Sequence, residues 1–162
     1  MRIFSLISLF CLVIITTASA QNNAEVIKFD RLENLINESG ENIQVINFWA
    51  TWCAPCIKEI PYFEALPENF KGRRLKVTLI NIDFVEKLDK VNSFIERKNI
   101  SSDVLLLDNI DYNSWIDKVD KSWSGAIPAT LIVDSKTGDR KFIEGELKEE
   151  ELNNILKEFI KS

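Results

Sequence analysis

The sequence VINFWATWCAPC, residues 45–56, carries the strongest indication of the fold of this chain. Its first half, Val45 to Ala50, is short, continuous and rich in branched and aromatic side chains, which predicts a buried strand. Cys53 and Cys56 follow at once, two residues apart at the predicted start of a helix. A pair with this spacing can form a disulfide, so the segment indicates either a redox pair or a short structural bridge.

The composition of the chain removes most other uses of the two cysteines. The 162 residues include three cysteines and no histidine, whereas a structural zinc site needs four ligands that are usually thiolate or imidazole. Covalent haem attachment requires a histidine directly after the second cysteine, where this chain has Ile57. We therefore expect no metal and no cofactor. Because a disulfide that closes so short a loop gains little chain entropy, the pattern favours a redox pair over a structural bridge.

The amino end has the order of a secretory signal peptide. Arg2 precedes an apolar stretch, and Ala18-Ser19-Ala20 offers small residues at a cleavage site. The apolar stretch is shorter than the ~20 residues of a membrane-spanning helix, so we predict cleavage after Ala20, with a retained membrane anchor as the alternative. This interpretation assigns residues 1–20, with Cys11, to the signal peptide and residues 21–162 to one domain. The formal net charge of −5 argues against nucleic acid as a partner.

Strand and helix patterns alternate along residues 21–162. Asp30 is positioned to cap a first helix, which is predicted to end near Gly40. Further strands are predicted at residues 75–83, 104–107, 129–134 and 141–144, and further helices from residue 53, around 91–95, around 115–116 and at 152–160. A turn containing Gly138 separates the last two strands, which suits an antiparallel hairpin. This order predicts an α/β fold with a mixed central sheet flanked by helices on both faces.

Three motifs resemble one known family. They are NFWATWCAPC at residues 47–56, which is highly specific, Glu59 with Pro61 behind it, and GAIPAT at residues 125–130 before the penultimate strand. In order and spacing they are similar to the thioredoxin-like superfamily and, within it, to the secreted TlpA/ResA-type thiol-disulfide oxidoreductases. The segment around residues 75–110 resembles the strand-helix insertion of this branch, which lies between the CxxC helix and the strand that follows the cis-proline.

The resemblance implies roles for both cysteines and for Glu59. Cys53 would be the attacking thiolate, because a helix amino end lowers the pKa of a thiol below the ~8.5 of free cysteine. Cys56 would be the resolving thiol that releases the partner's sulfur. Glu59 would accept or relay the Cys56 proton, with a solvated glutamate beside Lys58 as the alternative. Asn47 stands where plain thioredoxins have a buried aspartate, which favours Glu59 as the proton carrier.

The resemblance also identifies a substrate-binding surface. Pro128 is implied to be a cis-proline that faces the cysteines, with an ordinary trans-proline as the alternative. The backbone of Ile127 would pair with a bound substrate as a strand does, and Trp52 and Pro55 would flank the redox pair. The other tryptophans are predicted to pack in the core, although a partner groove is an alternative for the last two: Trp49, Trp115 and Trp123.

The function implied by the resemblance is that of an exported, periplasmic thiol-disulfide oxidoreductase that acts as a monomer. We expect it to reduce disulfides in envelope proteins, with apocytochrome c as one candidate and a membrane thiol reductase as electron donor. Pro55 is similar to the reducing members, since strong oxidants have a histidine between the cysteines. Two alternatives stay open: a disulfide oxidase or isomerase, and a non-enzymatic binding or chaperone module with a structural disulfide.

Overall fold

The computed structural model describes residues 22–161. The predicted signal peptide, residues 1–20, and Cys11 within it lie outside the described residues. Within the described range, no helix combines the length and the apolar character that crossing a membrane requires.

Six strands form one mixed sheet. They are β1 (Glu25–Ile27), β2 (Ile43–Trp49), β3 (Leu75–Asn81), β4 (Asp103–Leu107), β5 (Ala129–Asp134) and β6 (Arg140–Glu144). The strand order is β1-β4-β3-β2-β5-β6, with the first four strands mutually parallel and β5 antiparallel to both β2 and β6. The predicted hairpin is confirmed, since the Gly138 N–H donates to the Asp134 carbonyl at 2.8 Å across the β5–β6 turn.

Helices cover both faces of the sheet, as predicted. They are α1 (Phe29–Ile36), α2 (Ala54–Asn69), α3 (Leu88–Lys98), α4 (Ile116–Val119) and α5 (Glu149–Lys161), with single 3-10 turns at Val85–Lys87 and Tyr112–Ser114. Alternate side chains of β2 point to opposite faces. Asn47 reaches α2, which packs on α5, and Trp49 contacts Phe94 of α3. Phe48 faces the other layer, where α1 packs beside α4.

Two local expectations near the amino end are wrong. Asp30 does not cap α1: the helix begins at Phe29, and the residue at the cap position is Lys28, whose side chain makes no capping bond. Burial of the Phe29 ring, stacked 6.1 Å from Trp115, places the helix start two residues earlier than the capping pattern suggests. The helix also ends at Ile36, before Gly40. Asp30 lies in the first turn instead, where the helix dipole favours a carboxylate.

The interior is a continuous apolar core in which three tryptophans take part. Trp49, Trp115 and Trp123 are buried, and the last two form an aromatic cluster with Phe48. Packing is therefore the correct interpretation of these side chains, and the alternative of a partner groove is wrong for them. Trp52 differs from the other three, because 64% of its surface is exposed.

Candidate active site

Both cysteines lie at the carboxyl edge of the parallel strands. Cys53 follows β2 and is the amino-terminal cap of α2, with its Sγ accepting a hydrogen bond of 3.3 Å from the Cys56 N–H. Pro55 occupies the first turn of α2, where a residue without an N–H leaves no donor unpaired. The two sulfur atoms are bonded to each other as a disulfide. The motif predicted from sequence is thus a formed redox-capable pair at a helix amino end.

Exposure differs between the two cysteines. Cys53 keeps 5% of its surface accessible, whereas Cys56 is completely buried in the first turn of α2. The exposed indole of Trp52 lies directly before Cys53 in the chain. Since thiol-disulfide exchange requires access to the attacked sulfur, an incoming thiolate or disulfide meets Cys53 first.

The proline loop packs directly against this pair. The Ile127–Pro128 peptide bond is cis, and the Ile127 carbonyl oxygen lies 3.8 Å from Cys53 Sγ. Pro128 is buried and Ile127 is half-buried. The Pro128 carbonyl accepts a hydrogen bond of 2.9 Å from the Gly145 N–H. The structure therefore brings Cys53, Cys56, Ile127 and Pro128 together, as the sequence motifs imply.

The segment before the proline is fixed by two further contacts. Trp123 Nε1 donates to the Ala126 carbonyl at 2.8 Å, and Glu144 accepts hydrogen bonds from the backbone N–H and the hydroxyl of Ser124. These bonds to Ser124 lower the pKa of the Glu144 carboxyl. Because Glu144 ends β6, the sheet itself holds the loop in place.

Glu59 is completely buried, so the alternative of a solvated glutamate is wrong. Its Oε1 accepts a hydrogen bond of 2.8 Å from Asn47 Nδ2, and its Oε2 accepts one of 2.8 Å from the Leu147 N–H. Burial raises the pKa of Glu59 to about 7, against the lowering effect of both hydrogen bonds, and the nearby charge of Glu146 raises it slightly further. The side chain of Lys58 points outward and pairs with Glu146 at 2.5 Å.

Asn47 links the buried carboxyl group to the neighbouring strand. Besides Glu59, its Nδ2 contacts Thr130 Oγ1 at 3.2 Å on β5. Its Oδ1 is buried and has no hydrogen-bond partner among the described residues. A buried acceptor without a hydrogen bond lowers the stability of the folded protein. This one belongs to the same amide that donates to Glu59, whose pKa lies close to neutral pH.

Asp83 is a site residue that sequence reasoning missed. This buried carboxylate accepts hydrogen bonds from the Thr51 N–H at 2.7 Å, the Thr51 hydroxyl at 2.8 Å and Asn81 Nδ2 at 2.9 Å. It therefore ties the segment just before Cys53 to the end of β3. A signal in the sequence is an acidic residue two positions after the end of a buried parallel strand, at the edge where ligand sites of such sheets collect.

Metal ligands are not clustered in the described part of the chain. No group of three or more side chains among histidine, cysteine, aspartate and glutamate is placed to hold an ion there.

Curated proteins similar to this chain include two bacterial relatives. The thiol-disulfide oxidoreductase ResA of Geobacillus thermodenitrificans is 26% identical over 115 residues, which cover 68% of this chain and 59% of that protein. The thioredoxin-like protein YneN of Bacillus subtilis is 32% identical over 96 residues, covering 57% and 50%. The chain thus spans less than two thirds of the length of these relatives.

Solved structures show the same architecture. The thioredoxin-related protein of Neisseria meningitidis matches with a TM-score of 0.63 at 24% identity, covering 74% of this chain and 86% of that one. A thiol:disulfide interchange protein of Chlorobium tepidum matches with a TM-score of 0.61 at 21% identity, covering 78% and 83%. These likenesses confirm the thioredoxin-like fold. Because the AhpC/TSA family model also matches residues 19–138, which is most of the chain, the protein belongs to the AhpC/TSA family of thioredoxin-like proteins.

Proposed function

We propose that the protein is an exported thiol-disulfide oxidoreductase that reduces disulfides in envelope proteins through Cys53 and Cys56. One observation carries this function: the Cys53–Cys56 disulfide lies at the amino end of α2 with the carbonyl oxygen of Ile127 3.8 Å from Cys53 Sγ. A purely structural bridge would need neither an accessible sulfur nor a neighbouring backbone carbonyl beside it.

The reaction follows from the accessibility of the sulfur atoms. In the reduced protein, the Cys53 thiolate attacks a substrate disulfide, so that a Cys53–substrate bond forms and one substrate thiolate leaves and takes a proton. Cys56 then attacks Cys53 Sγ, which reforms the Cys53–Cys56 disulfide and releases the second substrate thiol. Two electrons and two protons pass to the substrate. The positive end of α2 favours the Cys53 thiolate.

Glu59 is the group we assign to the proton of Cys56. It lies one helical turn after Cys56 on the buried side of α2, and a pKa of about 7 allows it to gain or lose a proton near neutral pH. The resolving step requires Cys56 to lose its proton in an interior without water contact. A carboxyl group that titrates in the same range is suited to accept it.

Substrate binding is proposed for the rim of the redox pair. The exposed indole of Trp52 and the half-buried ring of Pro55 flank Cys53 on one side. Ile127 lies on the other side, where its carbonyl oxygen can accept a hydrogen bond from the backbone N–H of a substrate strand before Pro128. We propose that the protein acts there as a monomer.

Cellular placement and direction of electron flow are parts of the same proposal. The signal-like order of residues 1–20 supports export to the periplasm. A membrane thiol reductase would then supply electrons, and apocytochrome c is a candidate among the envelope substrates. The direction of electron flow is decided by the reduction potential of the Cys53–Cys56 pair, for which a difference of ~30 mV corresponds to ~1.4 kcal/mol. Equilibration with glutathione buffers measures it, and a potential at or above that of the glutathione couple would favour an oxidase or isomerase instead.

An insulin reduction assay tests the chemical function itself. Reduced protein with dithiothreitol should accelerate the precipitation of insulin chains, and the Cys53→Ser variant should not. If the wild type does no better than Cys53→Ser, the oxidoreductase function is wrong and a binding module with a structural disulfide is supported.

A further inference from the structure

We propose that the protein has a second substrate subsite beside the disulfide, a shallow surface cleft with room for about one water molecule. An apolar side chain of the polypeptide being reduced, followed by a basic residue, packs across its rim. The cleft, here called the acidic cleft, is lined among others by Phe84, Glu86, Asp108, Ile110 and Tyr112. This inference rests on the proposed function, because it names the type of polypeptide that the redox pair acts on.

Exposed apolar side chains are concentrated at this place. Five large apolar side chains are exposed in the described part of the chain, and four of them are Trp52, Phe84, Ile110 and Tyr112. Phe84 and Ile110 are exposed over 55% and 67% of their surfaces. Three of the four line the acidic cleft, and the fourth directly precedes Cys53. Several exposed large apolar side chains at one edge of a sheet are typical of an interaction site.

Sheet topology places the acidic cleft next to Cys53. The parallel strands β2, β3 and β4 are neighbours, so the segments that follow them leave the sheet at one edge. Cys53 follows β2, Phe84 follows β3 and Ile110 follows β4. Adjacent strands are ~5 Å apart and an extended peptide advances ~3.3 Å per residue. A substrate cysteine bound at Cys53 can therefore place a side chain two or three residues away against the rim of the cleft.

A direct contact joins the redox segment to the cleft. Asp83, which also lines the cleft, accepts two hydrogen bonds from Thr51, two residues before Cys53. The cleft thus keeps a fixed position relative to the disulfide. This side is distinct from the Ile127–Pro128 loop, since β5 lies on the opposite side of β2 from β3.

The acidic side chains around the cleft favour a basic residue in the bound polypeptide. Three acidic residues line the acidic cleft, Asp83, Glu86 and Asp108, and none of the described residues that line it is basic. Lys28 pairs with Asp108 at 2.6 Å from outside the cleft, whereas Glu86 makes no ion pair with any described residue. A basic substrate residue next to the apolar one therefore meets an unpaired carboxylate, and an acidic one meets repulsion.

Peptide substrates test this subsite. Short peptides with one cysteine, held as a mixed disulfide with thionitrobenzoate, carry Phe-Lys, Ser-Lys or Phe-Glu three residues before or after the cysteine. Release of thionitrobenzoate by the reduced protein gives the second-order rate constant. In at least one of the two placements, we expect the Phe-Lys peptide to react about tenfold faster than either of the others, as partial burial of one aromatic side chain against the exposed apolar side chains allows.

Variants assign any preference to the cleft. Phe84→Ser with Ile110→Ser should abolish the preference for Phe over Ser, and Glu86→Gln should weaken the preference for Lys over Glu. Glu158→Gln, an exposed substitution on α5, should keep both preferences. Equal rates for the three peptides in both placements, or preferences that survive in the cleft variants, would overturn the subsite. Failure of every peptide to release thionitrobenzoate would instead contradict the proposed function.

Discussion

Asn47 Nδ2 donates a hydrogen bond of 2.8 Å to Glu59 Oε1 inside the protein core. The bond joins the central strand β2 to the helix that carries both cysteines. With the Leu147 N–H on the other oxygen, Glu59 has one donor at each carboxylate oxygen and no solvent-accessible surface. The fold itself therefore sets the protonation state of Glu59, through burial and these two hydrogen bonds.

Replacement of Glu59 by glutamine should alter how stability depends on pH. The Glu59 pKa is raised from 4.5 to about 7 in the folded protein, so the folded state holds this proton more tightly than the unfolded state. The contribution of this tighter proton binding to the free energy of unfolding is fully present below about pH 4.5 and is lost as pH rises through about 7. We expect oxidised wild type to lose about 3 kcal/mol more unfolding free energy than Glu59→Gln between pH 4 and 8.

The measurement is urea unfolding of the disulfide form across this pH range, with Glu158→Gln as the matched exposed control. Glu158→Gln should follow the wild-type curve. A Glu59→Gln curve parallel to that of the wild type would mean that burial does not perturb the Glu59 carboxyl. The variant should fold, because rotation of the Asn47 amide lets its unpaired Oδ1 accept a hydrogen bond from the glutamine amide.

The Asn47→Asp variant should push the titration of Glu59 further upward. It replaces a donor 2.8 Å from Glu59 by a second carboxyl group, and two carboxylates at such a distance cannot both ionise cheaply. The pair should retain one proton well above pH 7, and the variant should be about 2 kcal/mol less stable than wild type at pH 8. Direct titration of the carboxyl carbon signals by NMR checks this. Two unshifted carboxyl titrations would contradict it.

Asp83 should fix the segment before Cys53 through Thr51. Asp83→Asn keeps the size but loses one acceptor oxygen, so that its amide faces the donors of Thr51 or Asn81. We expect a loss of about 2 kcal/mol, against about 1 kcal/mol for Thr51→Val, which removes only the hydroxyl bond. Chemical denaturation of both variants and of the double variant measures the coupling. Strictly additive losses would show that Asp83 and Thr51 act independently.

The Cys56 thiol should report on the charge of Glu59. In the Cys53→Ser background, Cys56 is a free thiol one helical turn from the carboxyl group, and a negative neighbour raises a thiol pKa. Glu59→Gln should therefore lower the pKa of Cys56, because it removes that negative neighbour. Thiolate absorbance against pH measures it. An unchanged Cys56 titration would remove Glu59 from the proton path and leave it a structural role.

Sequence reasoning recovered the parts of the fold that have strong local signals. The apolar strand at 45–50, the hairpin around Gly138 and the last helix appear as predicted, because each has a continuous pattern over several residues. The strand β1 was missed. It has only three residues, and its pairing with β4 lies about 80 positions away, as in Glu25 with Leu105.

The sequence predicts which residues form the candidate site better than it predicts the contacts between them. CxxC spacing and the GAIPAT motif identify Cys53, Cys56 and Pro128. Asn47 stands where plain thioredoxins have a buried aspartate, and this difference favours Glu59 as the proton carrier. The bond from the Leu147 N–H to Glu59 joins positions 88 residues apart, and no periodicity reveals such a contact. The contact between Asp83 and Thr51 also joins distant positions, because Thr51 follows β2 and Asp83 follows β3. No local pattern reveals it.

A mixed-disulfide trap tests the central claim most directly, since that claim is that Cys53 attacks and Cys56 resolves. Reduced Cys56→Ser protein would be incubated with a disulfide-bonded peptide and analysed by mass spectrometry after acid quenching. The peptide should remain bonded to Cys53 in Cys56→Ser and should be released as free thiol by the wild type. An adduct in the Cys53→Ser variant at a comparable rate, or no adduct in Cys56→Ser, would contradict it.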